Sequence, residues 1–216
     1  DLGPCPPVMF CNYQVEKVNN HRHLGVYLTP SLDWSVHVHQ ICLKANRKLA
    51  VLRSVKELNR STLDLLYKLT VRSVIDYCMP VYFGNLKVSD MNRLDQIQYR
   101  AAKLVTGALH FSSKLKLNIE LGWESLKVRY ECLGLSLFHK IHLGCTRPLV
   151  KSFMPQLEIN AHNTRVAIRY KQFPYCNKQY SLSFYPYFTK LWNKTHKTLQ
   201  NERDLTEYKS KLKKYL

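Results

Sequence analysis

The sequence is poor in glycine and in acidic residues, and it contains no long apolar run. Only 7 of its 216 residues are glycine, which argues against glycine-rich phosphate-binding loops and against β-sandwiches with many turns. No stretch of 18 apolar residues occurs, so we expect no membrane-spanning helix. No charged-then-apolar leader can be read, so no signal peptide is predicted. The abrupt start at Asp1 suggests a fragment of a longer protein.

The sequence also lacks the familiar catalytic motifs. It contains no G-x-S-x-G elbow, no Walker phosphate loop and no H-E-x-x-H zinc motif. Two-metal phosphoryl chemistry needs clustered carboxylates, but the sequence has no Asp-Asp pair. Single aspartates are predicted to cap helices or to lie on solvated faces; they are Asp33, Asp64, Asp76, Asp90 and Asp95. We therefore predict no self-contained active site.

The seven cysteines are scattered, and no two form a C-x-x-C pair. This odd set does not resemble a disulfide framework, so we expect free thiols in a reducing cell interior. The best metal candidate combines Cys132, His139, His142 and Cys145, because thiolate and imidazole suit zinc and the last three share roughly one helix face. The gap from Cys132 to His139 matches no usual ligand spacing. A polar helix stripe that holds two histidines is the favoured alternative, so no metal site is predicted.

Positive charge is the outstanding feature of the composition. Lys and Arg number 33 against 15 Asp and Glu, which gives a net charge of +18. Residues 1–150 and residues 151–216 each contribute +9, so the shorter segment is more than twice as dense in net charge. Such a surplus indicates a polyanionic partner, or a piece of a larger protein whose acidic parts lie elsewhere.

The hydrophobic pattern predicts a mainly α fold with a short β region at the N-terminus. Two apolar runs, Val8–Tyr13 and His23–Leu28, are typical of strands, and the polar residues 19–21 between them predict a turn. From Trp34 onward the apolar period becomes 3.6. Four helices are predicted: residues 34–55, residues 61–79 with Ser61 as the cap, residues 89–106 capped by Ser89 and ended by Gly107, and residues 125–144 capped by Ser125.

The C-terminal third has a different character. Periodicity is lost over residues 145–190, where tyrosines and phenylalanines crowd together, and a short basic helix follows at residues 205–215. We therefore divide the chain into three segments. These are a β segment at 1–33, a helical domain at 34–144, and a basic, aromatic-rich region at 145–216 that ends in a helix.

Short motifs follow one another in a fixed order along nearly the whole chain. The first half contains His23–Leu28, Leu32-Asp33-Trp34, His37, His39, Leu66-Tyr67, Val71-Arg72, Ile75-Asp76-Tyr77 and Pro80-Val81-Tyr82. The second half contains Leu94–Gly107, Leu126 with Arg129, Lys140-Ile141, Phe184–Asn193 and Tyr208–Leu212. In this order they resemble the region that follows the polymerase core in non-LTR (LINE-type, jockey-like) retrotransposon reverse transcriptases. Thr195-His196 departs from the Leu-Pro usual in that family, a sign of drift or decay in this copy.

The resemblance implies a fold made of the last palm strands, a thumb-like helical bundle and a basic tail. In that family the catalytic Asp-Asp turn lies several tens of residues before the Leu-Gly-Val strand, whereas only 22 residues precede His23 here. The chain is then a fragment that helps to bind an RNA/DNA template–primer but cannot polymerise alone. Its partners would be that duplex and the missing palm and fingers of the parent polymerase, with no membrane. The divalent metal, Mg²⁺, would belong to the full-length enzyme, with no cofactor in this chain. The expected location is intracellular, in the nucleus or cytoplasm, and nuclear during retrotransposition; the oligomeric state is left open.

Three sets of residues are candidates for nucleic-acid binding. The resemblance implies that the Leu-Gly strand region supports the primer terminus, and the matching residues here are Arg22, His23, Leu24 and Gly25. Plain strand packing is the alternative for Leu24. The second set is a basic stripe on the first predicted helix, at a spacing suited to phosphates: Lys44, Arg47 and Lys48. The third set is a similar stripe on the third predicted helix: Arg93, Arg100 and Lys103. For both stripes the alternative is a solvated helix face.

The aromatic and basic stretch from Arg165 to Lys190 is a further candidate, because aromatic side chains stack exposed bases. Core filling is the favoured role for about half of those aromatics, and Trp192 is assigned to packing. Two other functions stay open. One is a non-enzymatic nucleic-acid-binding or scaffold module retained from a retroelement, and the other is a small zinc-binding protein.

Overall fold

A computed structural model describes residues 7–109, 111–158, 169–174 and 177–216. The described chain is mainly helical with two small antiparallel sheets at the N-terminus, which confirms the predicted mainly α class. Some residues used in the predictions lie outside the described part, namely Cys5, Arg165, Tyr175 and Cys176. No helix of the described part is both long enough and apolar enough to cross a membrane.

Each of the two apolar runs predicted as a strand contains a tight turn and so forms part of a β-hairpin. Strands β1 (Met9–Phe10) and β2 (Tyr13–Gln14) pair with each other, and β3 (His21–His23) pairs with β4 (Val26–Leu28). Both connections are two residues long and have positive φ at both positions: 45° and 65° at residues 11 and 12, and 46° and 85° at residues 24 and 25. Such turns match the right-handed twist of the flanking strands. Neither hairpin connection lies at residues 19–21, where a turn is predicted: the chain bends at residue 19, but His21 already lies inside β3.

The first predicted helix is confirmed as α1 (Ser35–Ser54). Its apolar face is buried as the periodicity requires: Val38, Ile41, Ala45, Leu49 and Leu52. At its start the Asp33 carboxylate accepts the backbone N–H of Ser35 at 2.9 Å. Helix α1 packs against α5 (Val88–Thr106) and against the second helical segment described next.

The second predicted helix is divided into several pieces. It begins as α2 (Arg60–Leu66), passes through a π-helix (Tyr67–Arg72) and ends as α3 (Ser73–Asp76). The predicted cap Ser61 is wrong, because the Asn59 carboxamide accepts the Thr62 N–H at 2.9 Å. After a left-handed Cys78, the turn α4 (Met79–Tyr82) and a 3₁₀ turn (Phe83–Asn85) lead into α5. A π-helix adds residues per turn, which is why the simple 3.6 pattern did not reveal these boundaries.

Helices α5, α6 (Lys114–Leu121) and α7 (Leu126–His142) complete the central bundle. Gly107 ends α5 in a left-handed conformation, and Ser125 caps α7 by accepting the Val128 N–H, both as predicted. Ser89 is not a cap, because α5 starts one residue earlier, after Lys87. Helix α6 was not predicted.

The C-terminal part adds α8 (Pro148–Ser152), α9 (Lys178–Ser181), α10 (Phe184–Trp192), α11 (Lys197–Gln200) and α12 (Leu205–Tyr215). The last of these confirms the predicted terminal helix. Helix α7 packs against α4, α10 and α12. At this junction the His139 ring stacks on Tyr208 with centroids 3.8 Å apart and planes 4° apart, and Trp192 is fully buried beside it.

One hydrophobic core includes members of all three predicted segments, from Val26 through Ile75 to Leu212. The division into three domains stays a prediction.

A charge cluster joins the central helices: Arg129 of α7 donates to both carboxylate oxygens of Asp76 at the end of α3, each at 2.6 Å. This pair fixes α3, and with it the residues that follow, against α7.

Candidate nucleic-acid interface

The β3–β4 turn, Leu24-Gly25, projects from the fold. Leu24 is 78% exposed and has a φ of 46°, an uncommon conformation for a residue with a bulky side chain. Gly25 has a φ of 85°, which is accessible to glycine at little cost. An exposed apolar side chain held in a strained turn is a feature that clusters at ligand-contacting sites. Arg22, on β3, extends over the ring of Tyr27 of β4 at 5.9 Å, and His23 is also exposed.

Two residues that sequence reasoning did not single out attach this turn to the helices. The Tyr77 hydroxyl, just after α3, donates to the Leu24 carbonyl at 2.7 Å. The backbone N–H of Tyr27 donates to His37 Nδ1 of α1 at 3.4 Å. Both residues belong to motifs that carry the family resemblance, and that membership is the signal that could have identified them.

His37 is neutral at physiological pH. Burial, and then the nearby Lys44 charge, lower the pKa of its imidazole to about 4. Because Nδ1 accepts the Tyr27 N–H, the neutral ring carries its proton on Nε2. His37 therefore anchors the hairpin without adding a charge to this face.

Helix α1 presents the second set of candidates on its exposed side. Lys44, Arg47 and Lys48 are all exposed, and none has a carboxylate within ion-pair distance among the described residues. Helix α1 also contains no acidic residue. Most described carboxylates are paired with cations elsewhere, so none of them neutralises these three α1 cations directly.

The first two candidate sets meet at one cavity. This cavity, of about 250 Å³, is lined by Gly25 of the turn, by Lys44 of α1 and by Ser73 and Tyr77 of the segment around α3. Gly25 and Lys44 therefore join the two sets at this cavity. We call the two sets together the α1 face: Arg22, His23, Leu24, Gly25, Lys44, Arg47 and Lys48.

The third set lies across α1 from this cavity. Arg93 and Arg100 of α5 line a second cavity of about 300 Å³, together with Asn46 of α1. Arg93 is partly neutralised by an ion pair with the buried Asp90 at 3.1 Å. Lys103 lies 4.5 Å from the centroid of the Tyr99 ring and does not line the cavity. The structure thus brings two of the three residues together beside α1, and α1 forms a ridge between the two cavities.

The aspartates singled out in the sequence do not assemble. Asp33, Asp64, Asp76 and Asp95 each pair with a different cation. Asp90 is buried, not solvated as predicted, because it accepts the Ser35 hydroxyl at 2.7 Å and pairs with Arg93. Within the described ranges no three His, Cys, Asp or Glu side chains come together in a way that could hold a metal ion.

The zinc candidate does not assemble either, although all four of its residues are described. His139 is fully buried and stacks on Tyr208, whereas Cys145 is exposed. Burial raises the pKa of Cys132 to about 11, which opposes the thiolate that zinc requires. These residues belong to the junction of α7 with α10 and α12.

The aromatic stretch divides as predicted between core and surface. Tyr170 and Phe188 are buried, while Tyr180 is 43% exposed and Phe184 is partly buried. Trp192, which follows the stretch, is buried, in agreement with its assignment to packing. Tyr180 and Phe184 line a further groove that shares no lining residue with the cavity at the β3–β4 turn.

No protein-family model matches this chain, and no curated protein and no solved structure is significantly similar to it. These comparisons neither support nor contradict an origin in a reverse transcriptase. The functional argument depends on the α1 face itself.

Proposed function

We propose that this chain is the thumb-like C-terminal part of a retroelement reverse transcriptase and that it binds an RNA–DNA duplex on the α1 face. The support comes from two independent directions. The motif order resembles that family over nearly the whole chain, and the mainly helical fold with N-terminal hairpins is compatible with palm strands followed by a thumb.

The observation that carries the proposal is the uncompensated charge of α1. Three exposed cations at positions i, i+3 and i+4 lie on one side of a helix, with no carboxylate near them among the described residues. A solvated helix face usually intersperses both signs of charge, and a row of unpaired cations is costly in self-repulsion unless an anion neutralises it. Phosphates along a duplex groove would supply that anion.

The β3–β4 turn adds a contact of a different kind. Leu24 would place an apolar side chain against the sugar and base edges at the end of the duplex, as the resemblance implies for the primer terminus. Gly25 leaves the backbone of the turn open to close approach. Tyr77 holds this turn beside Lys44, so that one ligand can touch both.

A fluorescence-anisotropy titration with a labelled RNA–DNA duplex at about 50 mM salt tests the proposal. We expect binding, and we expect the triple variant Lys44→Gln, Arg47→Gln, Lys48→Gln to bind far more weakly. The matched control removes the same charge from α12 through Lys209→Gln, Lys213→Gln and Lys214→Gln. No binding by the unmodified chain, or equal losses in the two triple variants, would contradict the α1 face as the binding surface.

The second candidate function is a non-enzymatic nucleic-acid-binding module retained from a retroelement. Neither candidate requires a metal site in this chain, and within the described residues the aspartates pair separately with different cations. Both candidates use the α1 face. They differ in whether the chain restores DNA synthesis when it is combined with the palm and fingers of a parent polymerase.

A further inference from the structure

A groove that contains no residue of the α1 face carries chemistry that the α1 face does not. It lies between the loop before α1, the α4 turn with its 3₁₀ extension, and the segment α9–α10, and we call it the lateral groove. Its main cavity measures about 680 Å³ and continues into a second of about 480 Å³. The two share Ser31, Leu32, Asn85 and Gln179. A volume of this size is typical of sites for small ligands.

The walls of the lateral groove combine aromatic rings with amide groups. Trp34, Tyr180 and Phe184 contribute rings, and Tyr180 is the most exposed of the three at 43%. Asn85, Asn177 and Gln179 contribute carboxamides. Aromatic rings stack on any base, and carboxamides can donate to and accept from base edges.

The three carboxamides differ in what they already bind, and Asn177 accepts the backbone N–H of Tyr180 at 2.7 Å. Gln179 donates to the Ser31 carbonyl at 3.0 Å and so bridges the two walls of the groove. Asn85 makes no side-chain hydrogen bond within the described part of the chain. Its donor and acceptor therefore remain available to a ligand.

The charge of the groove suits a phosphodiester. Lys178 lines the second cavity and has no carboxylate partner among the described residues. Asp33, the acidic residue in that wall, is held by Lys87 at 2.6 Å, and this contact lowers the pKa of the carboxyl to about 2. Its charge is thus balanced, and the groove carries a net positive charge from Lys178.

We propose that the lateral groove binds unpaired nucleotides of a single-stranded nucleic acid, stacked against Tyr180 and read by Asn85. The site would serve the strand that extends beyond a duplex. Trp34 and Lys44 lie ten positions apart on the α1 segment, about 15 Å at the helical rise. That distance is about four nucleotide steps at the duplex spacing, so one strand could leave the α1 face and enter the groove. The proposal shares its ligand class with the proposed function and deepens it.

The test uses three labelled probes in anisotropy titrations: a blunt RNA–DNA duplex, the same duplex with a six-nucleotide single-stranded overhang, and a single-stranded oligonucleotide of the overhang type. We expect the overhang to tighten binding by about tenfold, in line with the stacking of one base on an aromatic side chain. Tyr180→Ala should remove most of that gain and weaken the single-strand complex, while leaving the blunt-duplex affinity unchanged. Asn85→Ala should reduce the gain in the same direction. Phe111→Ala, which removes a ring that is 85% exposed and lies outside the groove, is the matched control.

The outcomes separate this inference from the proposed function. If the blunt duplex binds and the overhang adds nothing, or if Tyr180→Ala weakens all three probes equally, the lateral groove is not a nucleotide site. If the blunt duplex fails to bind but the single strand binds in a Tyr180-dependent way, the inference stands and the duplex function fails. If none of the three probes binds, both are wrong.

Discussion

Replacing Asp76 with asparagine removes the carboxylate that balances two partly buried guanidinium groups at the junction of α3 and α7. Arg129 donates two hydrogen bonds of 2.6 Å to Asp76, and Arg72 lies 3.9 Å from it. All three side chains are less than one-fifth exposed, at 17–19%. Burial opposes the charge of Arg129, but the bonds to Asp76 and then Glu124 hold its pKa above the usual value. Without Asp76, two cations would remain close together and poorly solvated.

Removing one partner of a fully buried ion pair costs about 3–5 kcal/mol, and the Asp76–Arg129 pair is partly buried. Glu124 still lies 3.5 Å from Arg129 and can compensate in part, so we expect the lower end, about 3 kcal/mol. For a chain of this size that loss corresponds to a decrease in Tm of roughly 6–12 °C. Urea unfolding followed by far-ultraviolet circular dichroism measures the loss directly.

The matched control is Glu120→Gln, which makes the same change in an ion pair of the same length. Arg60 and Glu120 are 2.6 Å apart but about half exposed, at 47% and 50%. Exposed pairs contribute at most about 1 kcal/mol. If Asp76→Asn costs no more than Glu120→Gln, then the Asp76–Arg129 pair does not anchor α3 to α7, and the reasoning from burial is refuted.

Other expectations concern pH, packing, the turn and catalysis. Burial lowers the pKa of His37 and His139 from 6.5 to about 4, so as the pH falls the unfolded chain takes up protons before the folded chain does. The free energy of unfolding should therefore fall between pH 6.5 and 4 by up to roughly 3 kcal/mol per histidine. A urea midpoint that stays constant over that pH range would contradict this. Gly134→Ala should destabilise by about 1–3 kcal/mol in the same urea assay, because the new Cβ would meet the Phe188 ring at 1.8 Å; an unchanged midpoint would refute it. Tyr77→Phe should weaken duplex binding several-fold in anisotropy while changing stability by at most about 1.5 kcal/mol; equal affinity would show that the turn needs no anchor. The isolated chain should give no primer extension with Mg²⁺ or Mn²⁺, and product above a no-protein control would overturn that.

Much of the helical fold could be predicted, because an amphipathic helix records its buried face locally. The stripe from Val38 to Leu52 identified α1, and the cation stripe opposite it followed from the same spacing. Helix α10 carried an equally clear signal in Phe184, Phe188 and Trp192, which recur every four residues. The density of aromatics around them obscured that period.

The remaining features depend on contacts that no local pattern records. Both hairpin turns place non-glycine residues at positive φ, including Cys11 and Leu24, so polarity alone placed the turn wrongly. Asp76 and Arg129 are 53 positions apart, and so are Leu24 and Tyr77. Such pairings become visible only when the helices are packed. The residues of the α1 face could therefore be predicted, but their anchoring could not.

The salt dependence of duplex affinity tests the central claim most directly. The measurement compares the slope of log affinity against log salt, between about 50 and 200 mM, for the unmodified chain and for the triple variant at Lys44, Arg47 and Lys48. Each phosphate contact contributes about 0.9 to that slope. If Lys44, Arg47 and Lys48 each contact a phosphate, the variant's slope should be shallower by about 2.7 than that of the unmodified chain. Equal slopes for the two proteins would contradict it.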